Sequence, residues 1–227
     1  MMDSTGNNRI ETLIQQGYSL DLGQTFNRGF EIFKKNLGGF VLYTLVLMII
    51  FIVLGAFPER LKPAATGINM VISAPLMAGF LIVAFKLIKG QATAFGDFFR
   101  GFDRFVPLFL ANLVMSIFIF IGFLLLVIPG IYLAVSYLFT IPLIVERKFD
   151  FWEAMESSRR LITKNWFTFF GLAILLFLLN LGGLLLLGLG VLFTLPITYC
   201  VMAAAYESVV GVNGDSLPAT DTLTDSL

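Results

Sequence analysis

Enzyme chemistry needs side chains that carry protons, hold metals or attack carbon, and this sequence gathers few of them. It has no histidine and a single cysteine, Cys200, in 227 residues. Without imidazole there is no Ser-His-Asp triad, no His-x-x-x-His zinc site and no haem ligation by histidine. The carboxylates stand in short polar segments (Glu31, Asp97, Asp103, Asp150, Glu153, Glu156) or at the borders of apolar runs (Glu146, Glu207). No two of them have the spacing of an acid/base dyad. No catalytic residue, metal site or cofactor is expected, and the chain reads as a non-enzyme. Its formal charge is zero with no basic block, which argues against a nucleic-acid partner, since that needs a concentrated basic face.

Two sets of residues remain. The first is polar or proline-bearing and lies inside apolar runs: Asn69, Asn112 and Asn180, with Ser73-Ala74-Pro75, Thr140-Ile141-Pro142 and Thr194-Leu195-Pro196. Amides in apolar helices bond across helices or line a pathway. Proline lacks the N–H that bonds the carbonyl four residues earlier, so a kink is expected at Pro75, Pro142 and Pro196. The hydroxyls of Ser73, Thr140 and Thr194 stand two residues before, placed to bond the disturbed backbone. These nine residues form a candidate kink or cavity. The second set is basic and flanks phenylalanine-rich segments: Arg28, Lys34, Lys35, Arg100, Arg104, Arg159, Arg160 and Lys164. Each is a candidate contact for anionic lipid headgroups, worth about 1 kcal/mol near the surface.

The elements that position these residues follow from hydropathy. The chain is 58% hydrophobic and 13% charged, with mean hydropathy +0.90, which is the composition of an integral membrane protein. Residues 105–145 are 41 in a row without charge. As one helix, at ~1.5 Å per residue, they would be about twice the ~30 Å hydrocarbon thickness. The run therefore crosses twice, and Pro129-Gly130 is the expected point of reversal. Residues 166–206 are a second such run, with expected breaks at Gly182-Gly183 and Gly188-x-Gly190. Residues 37–57 and 67–85 supply two further crossings, joined by Pro58-Glu59-Arg60-Leu61-Lys62-Pro63. The first 36 residues carry eight charges, so no cleaved signal segment is expected there.

Each hairpin follows a polar segment, and two of these segments share a pattern. Residues 26–33 and 98–105 both read Phe-x-Arg-Gly-Phe-acid-x-Phe, 72 positions apart. The third, Phe151 to Lys164, ends in Lys164-Asn165-Trp166, which aligns with Lys35-Asn36-Leu37. With the hydroxyl-x-Pro motif in each returning crossing, the chain reads as an internal repeat. The expected fold is an all-α membrane protein of six transmembrane helices, built as three parallel repeats of a surface amphipathic helix plus a transmembrane hairpin. The boundaries are a flexible N-terminus over 1–20, repeats over 21–90, 91–150 and 151–210, and a disordered tail over 211–227. Of the 15 Lys and Arg, 13 fall on the side of the termini, which makes that side cytoplasmic.

The stretch Ile128-Pro129-Gly130-Ile131-Tyr132-Leu133-Ala134-Val135, followed by Pro142, Glu146, Trp152-Glu153-Ala154, Ser158-x-x-Leu161 and Trp166, resembles a poorly characterised family of six-helix bacterial membrane proteins. These are similar to the membrane domain fused to some glycerophosphodiester phosphodiesterases. Ser136 stands where that pattern carries a basic residue, and the phosphodiesterase barrel has no counterpart here. The resemblance implies a bacterial inner-membrane protein near lipid or envelope physiology. Two functions are thus in play. One is binding of membrane lipids or of a membrane-protein partner, including a second copy of the chain; the other is transport of a small solute or lipid between the kinked returning helices.

Overall fold

The computed structural model describes residues 4–186 and 188–212. The described residues form ten α-helices and two 3₁₀ helices, with no strand among them. In chain order the α-helices are α1 (Ser4–Gln16), α2 (Leu22–Lys35), α3 (Leu37–Gly55), α4 (Lys62–Ile88), α5 (Phe105–Leu125), α6 (Val127–Ser136), α7 (Thr140–Glu146), α8 (Phe151–Thr163), α9 (Trp166–Leu185) and α10 (Val191–Val209). One 3₁₀ turn, Glu59–Leu61, links α3 to α4, and a longer 3₁₀ helix, Phe95–Arg104, precedes α5. Six segments are long and apolar enough to cross a membrane: α3, α4, α5, α6 with α7, α9 and α10. This is a multi-pass membrane protein.

The crossings divide into an inner and an outer set. Of the apolar window in α4, α6–α7 and α10, 61%, 50% and 50% is buried inside the protein, against 22%, 17% and 22% for the outgoing crossings built on α3, α5 and α9. The returning helices form the centre because they carry the small residues that let backbones approach when lipid and side chain are equally apolar. Cys200 and Ala203 to Ala205 are buried on α10, as are Ala74, Ala78, Gly79 and Ala84 on α4. Near the end of the bundle that holds α2, the centre is filled by Phe85, Phe139 and Tyr206, with Tyr206 5.4 and 5.5 Å from the other two rings.

That end is capped by the polar segments. Helix α2 packs on α10, the 3₁₀ helix on α4, and α8 on α6 and α7. Their seating depends on one small residue each. A Cβ added at Gly29 would lie 2.7 Å from Val201 Cα, and one at Gly101 only 2.0 Å from the Pro75 carbonyl oxygen. The buried faces therefore centre on these glycines, with Phe33 and Phe98 inside and Phe30 and Phe102 exposed. Each outgoing crossing starts directly after one residue of similar backbone: Asn36 (φ −143, ψ 47), Arg104 (φ −120, ψ 33) and Asn165 (φ −135, ψ 41).

Four expectations are corrected. The second hairpin reverses at Leu126, in extended conformation, and Pro129-Gly130 lies inside the first turn of α6. There proline loses no helix bond, and Gly130 accepts the close approach of Gly122, whose added Cβ would be 3.0 Å from it. In the third hairpin Gly182-Gly183 stays within α9, and the turn falls at Gly188, whose φ of +77 suits glycine. The flexible N-terminus instead holds α1, because Ile10 and Leu13 are buried and α1 packs on α8. Finally, the three prolines are not equivalent. Pro75 and Pro196 each stand 13 residues before the last residue of a continuous helix, Ile88 or Val209, whereas Pro142 is four before Glu146. Of the expected disordered tail, Gly211 receives a hydrogen bond from Arg147, and residues 213–227 lie outside the described residues.

Candidate functional site

Where α4 and α10 run through their prolines, the fourth crossing comes apart. Helix α6 ends at Ser136, residues 137–139 form a turn, and α7 begins at Thr140. Pro142 is the third residue of α7, so the missing N–H falls where a new helix has no bond to make. A break inside an apolar zone exposes backbone groups that no water can reach. Ser158 of α8, fully buried, satisfies them: its hydroxyl accepts from the Phe139 N–H at 3.1 Å and donates to the Ser136 carbonyl at 2.8 Å.

Beside this break lies a cavity of about 510 Å³. Its walls come from the break itself (Tyr137, Leu138, Ile141 and Pro142), from α5 (Asn112, Met115), from α9 (Ala173, Phe177, Asn180) and from α10 (Thr198, Tyr199, Met202). Phe177 is 65% exposed on the outer face of α9, so the cavity opens to the side of the bundle. The lining is largely apolar with few polar groups. Asn180 donates to the Leu176 carbonyl at 2.9 Å and to Thr198 Oγ1 at 2.6 Å, and Thr198 donates in turn to the Thr194 carbonyl. The side-chain amide of Asn112 makes no hydrogen bond among the described residues. A volume of this size, apolar with a few placed polar groups, is that of a small-molecule or acyl-chain site.

The structure thus brings together three of the nine candidate residues, Asn112, Pro142 and Asn180. Asn69 is exposed near the hairpin turn and lines a separate pocket with Phe51, Gly55 and Lys62. Pro75 is buried under Gly101. Pro196 is buried and Thr194 packs on Gly183. The hydroxyls do not serve the backbone as expected: Ser73 reaches only the Met70 carbonyl at 3.4 Å, and the buried Thr140 and Thr194 hydroxyls have no hydrogen-bond partner among the described residues. Ser158, which the proline motif did not flag, does that work for the broken crossing. Its signal was positional, since aligning Asn165 with Asn36 places Ser158 opposite Gly29.

Half of the basic set, four residues of eight, is spent on protein contacts. Arg28 grips Glu207 of α10 through two bonds of 3.0 Å, and that hydrogen-bonded partner raises the guanidinium pKa. Arg159 grips Glu156 at 2.7 and 2.9 Å, which holds the Glu156 carboxyl below its usual range. Arg100 faces Asp103 at 3.3 Å and Arg160 faces Glu11 at 3.9 Å. Lys34, Lys35, Arg104 and Lys164 have no ion pair among the described residues. Two lysines outside the candidate set are also paired: Lys86 with Asp97 at 2.6 Å and Lys89 with Glu146 at 2.7 Å.

Comparison of the chain with protein-family models, with curated proteins and with solved structures finds no match.

Proposed function

We propose that the chain is a non-enzymatic bacterial inner-membrane protein that binds a lipid, or the hydrophobic part of a membrane partner, in the cavity beside its broken crossing. The observation that carries this reading is the cavity's combination of size, side opening and a single free amide, Asn112, in an otherwise apolar wall. An acyl chain fills such a space without leaving a charge unpaired, and an ester or hydroxyl can meet the amide. Both termini are cytoplasmic on this reading, because 13 of the 15 basic residues lie on their side. The segments α2, Phe95–Arg104 and α8 then lie along the cytoplasmic surface as amphipathic helices.

The proposed architecture is three parallel repeats closed in a ring. In its favour, each polar segment packs on the returning crossing of the preceding unit: α2 on α10, the 3₁₀ helix on α4, α8 on α6–α7. Each outgoing helix does the same, α3 on α10, α5 on α4 and α9 on α6.

Native mass spectrometry of protein released from membranes tests the function. Wild type is expected to carry a lipid that Ala173→Phe, which fills the cavity, does not retain. Equal lipid retention by both would overturn the reading. Transport is favoured by one observation, since broken helices at membrane depth mark many transporter sites. Solute flux in liposomes that Ala173→Phe abolishes, with no lipid retained by either protein, would establish that reading instead.

A further inference from the structure

We infer that the protein holds a second site, for a phosphate-bearing anionic group, at the capped end between α4, the 3₁₀ helix Phe95–Arg104 and α7. A pocket of about 370 Å³ lies there, and five cationic side chains from three separate parts of the chain line it: Lys86 at the end of α4 with Lys89, its C-cap, Arg100 and Arg104 from the 3₁₀ helix, and Lys148 from the turn after α7.

The charges do not cancel. Asp97 takes Lys86, Glu146 takes Lys89, and Asp103 takes Arg100. That leaves Arg104 and Lys148 without a carboxylate among the described residues, so the pocket holds two positive charges in excess. The three pairs fix the walls, and the two free cations are left to bind. Arginine offers a planar fork suited to two phosphate oxygens, and lysine a point charge beside it.

The backbone at Lys148 points the same way. It is the one non-glycine residue with positive φ among those described, at +59. Holding a lysine there costs about 1 kcal/mol or more, and such outliers gather at ligand sites. A glycine would sit in this turn without that cost. The depth also fits, because the site lies where α4 and α7 end and α5 begins, the level of the headgroups for chains that enter and leave the bundle there.

The ligand chemistry is a phosphate ester or free phosphate carrying net negative charge. The inference deepens the lipid-binding reading and rests on it for the choice of first probe, phosphatidylglycerol. The variants are Arg104→Gln and Lys148→Gly, the second of which removes the charge while relieving the strained backbone. Thermal unfolding in detergent is followed while titrating phosphatidylglycerol, zwitterionic phosphatidylcholine, inorganic phosphate, or uncharged diacylglycerol. Phosphatidylglycerol is expected to raise the wild-type midpoint more than phosphatidylcholine does. The double variant, folded and with an unliganded midpoint no lower than that of Arg104→Gln alone, is expected to need at least tenfold more phosphatidylglycerol for the same shift. Competition by inorganic phosphate at millimolar concentration assigns the site to the phosphate itself; no competition assigns it to the lipid. Wild type and double variant responding alike to both phosphatidylglycerol and phosphate would overturn the site. Diacylglycerol separates the two readings: its loss on Ala173→Phe reports on the cavity and leaves the anion site untouched.

Discussion

Helices α4 and α10 and the pair α6–α7 occupy the same inner layer and carry the same hydroxyl-x-Pro motif, yet only α6–α7 is broken. The reason lies in what presses against each. On α4 and α10 the neighbouring cap presents a glycine, Gly101 or Gly29, whose contact is backbone to backbone. On α6–α7 the cap presents Ser158, whose hydroxyl supplies the donor and acceptor that the open turn at 137–139 needs. A glycine there could not stitch the break, and a serine on α4 or α10 would collide. The cavity then appears beside the broken crossing, where Tyr137 and Leu138 leave the helical path and join its wall. The residue each cap presents thus separates a packed seam from a seam with room in it: Gly101 meets Pro75 itself and Gly29 meets Val201, past Pro196, whereas Ser158 meets Ser136 and Phe139, ahead of Pro142.

The largest effect expected from this comparison is at the glycines. Gly101→Leu drives a side chain into the Pro75 carbonyl, a backbone atom that cannot swing aside, so the cost is about 3 kcal/mol, the upper end of the overpacking range. The variant is expected to fail to accumulate in membranes, as seen by fluorescence size exclusion, and Gly29→Leu to behave alike. Wild-type yield from either would show that the caps are not seated as described.

Ser158→Ala comes next. It leaves the Phe139 N–H and the Ser136 carbonyl unbonded in a buried place, a loss of about 1–3 kcal/mol. Thermal unfolding in detergent should show the drop, and lipid retention should fall with it because the cavity wall is the loosened turn. If Ser158→Ala melts like wild type, the serine is not what holds the break.

Pro142→Ala is expected to do less, within about 1 kcal/mol, because the proline occupies the first turn of α7 and its replacement restores no bond across a turn already closed by Ser158. Backbone amide exchange at 137–139 measured by mass spectrometry should stay as in wild type. Protection extending unbroken from α6 into α7 would mean that proline, not serine, makes the difference between the crossings.

These contrasts also show which features the sequence makes legible. Six apolar segments are visible because a membrane demands about 20 apolar residues per helix whatever the partner. The glycine of Phe-x-Arg-Gly-Phe is visible as a repeated residue, although its use, a close approach, is a property of the partner helix. The cavity is not visible, because it depends on how α5 and α9 rotate about their axes. An apolar helix facing lipid and protein alike has little asymmetry to set that rotation. Asn112 and Asn180, on α5 and α9, come to line the cavity, whereas Asn69, near the start of α4, is exposed and lines a separate pocket. Helix α1 is hard to read in the sequence because only Ile10, Leu13 and Ile14 mark an apolar face in a polar stretch.

The smallest effect separates the two outer caps through their ion pairs. Arg28 of α2 reaches across to Glu207 on α10, whereas Arg159 of α8 is paired within its own helix to Glu156. Breaking the first loosens a cap from the bundle, so Glu207→Gln should lower the midpoint more than Glu156→Gln. For Glu156 the sign of the pH dependence follows from its depressed pKa. The folded state favours the ionised form, so the pair stabilises above the ordinary carboxylate pKa, and that stability disappears as pH falls through the lower, folded value. Both side chains are more than a third exposed, and water screens such pairs to about 0.3–0.5 kcal/mol. In a chain of this length that is a shift of about 1 °C. Glu156→Gln should therefore melt about 1 °C below wild type at neutral pH, and the gap should close as pH falls through the lowered, folded-state value, where the wild-type carboxyl becomes neutral too. A gap that persists at low pH would mean the carboxyl acts through packing, and a gap as large as that of Glu207→Gln would mean α8 is held to the bundle by charge and not by Ser158.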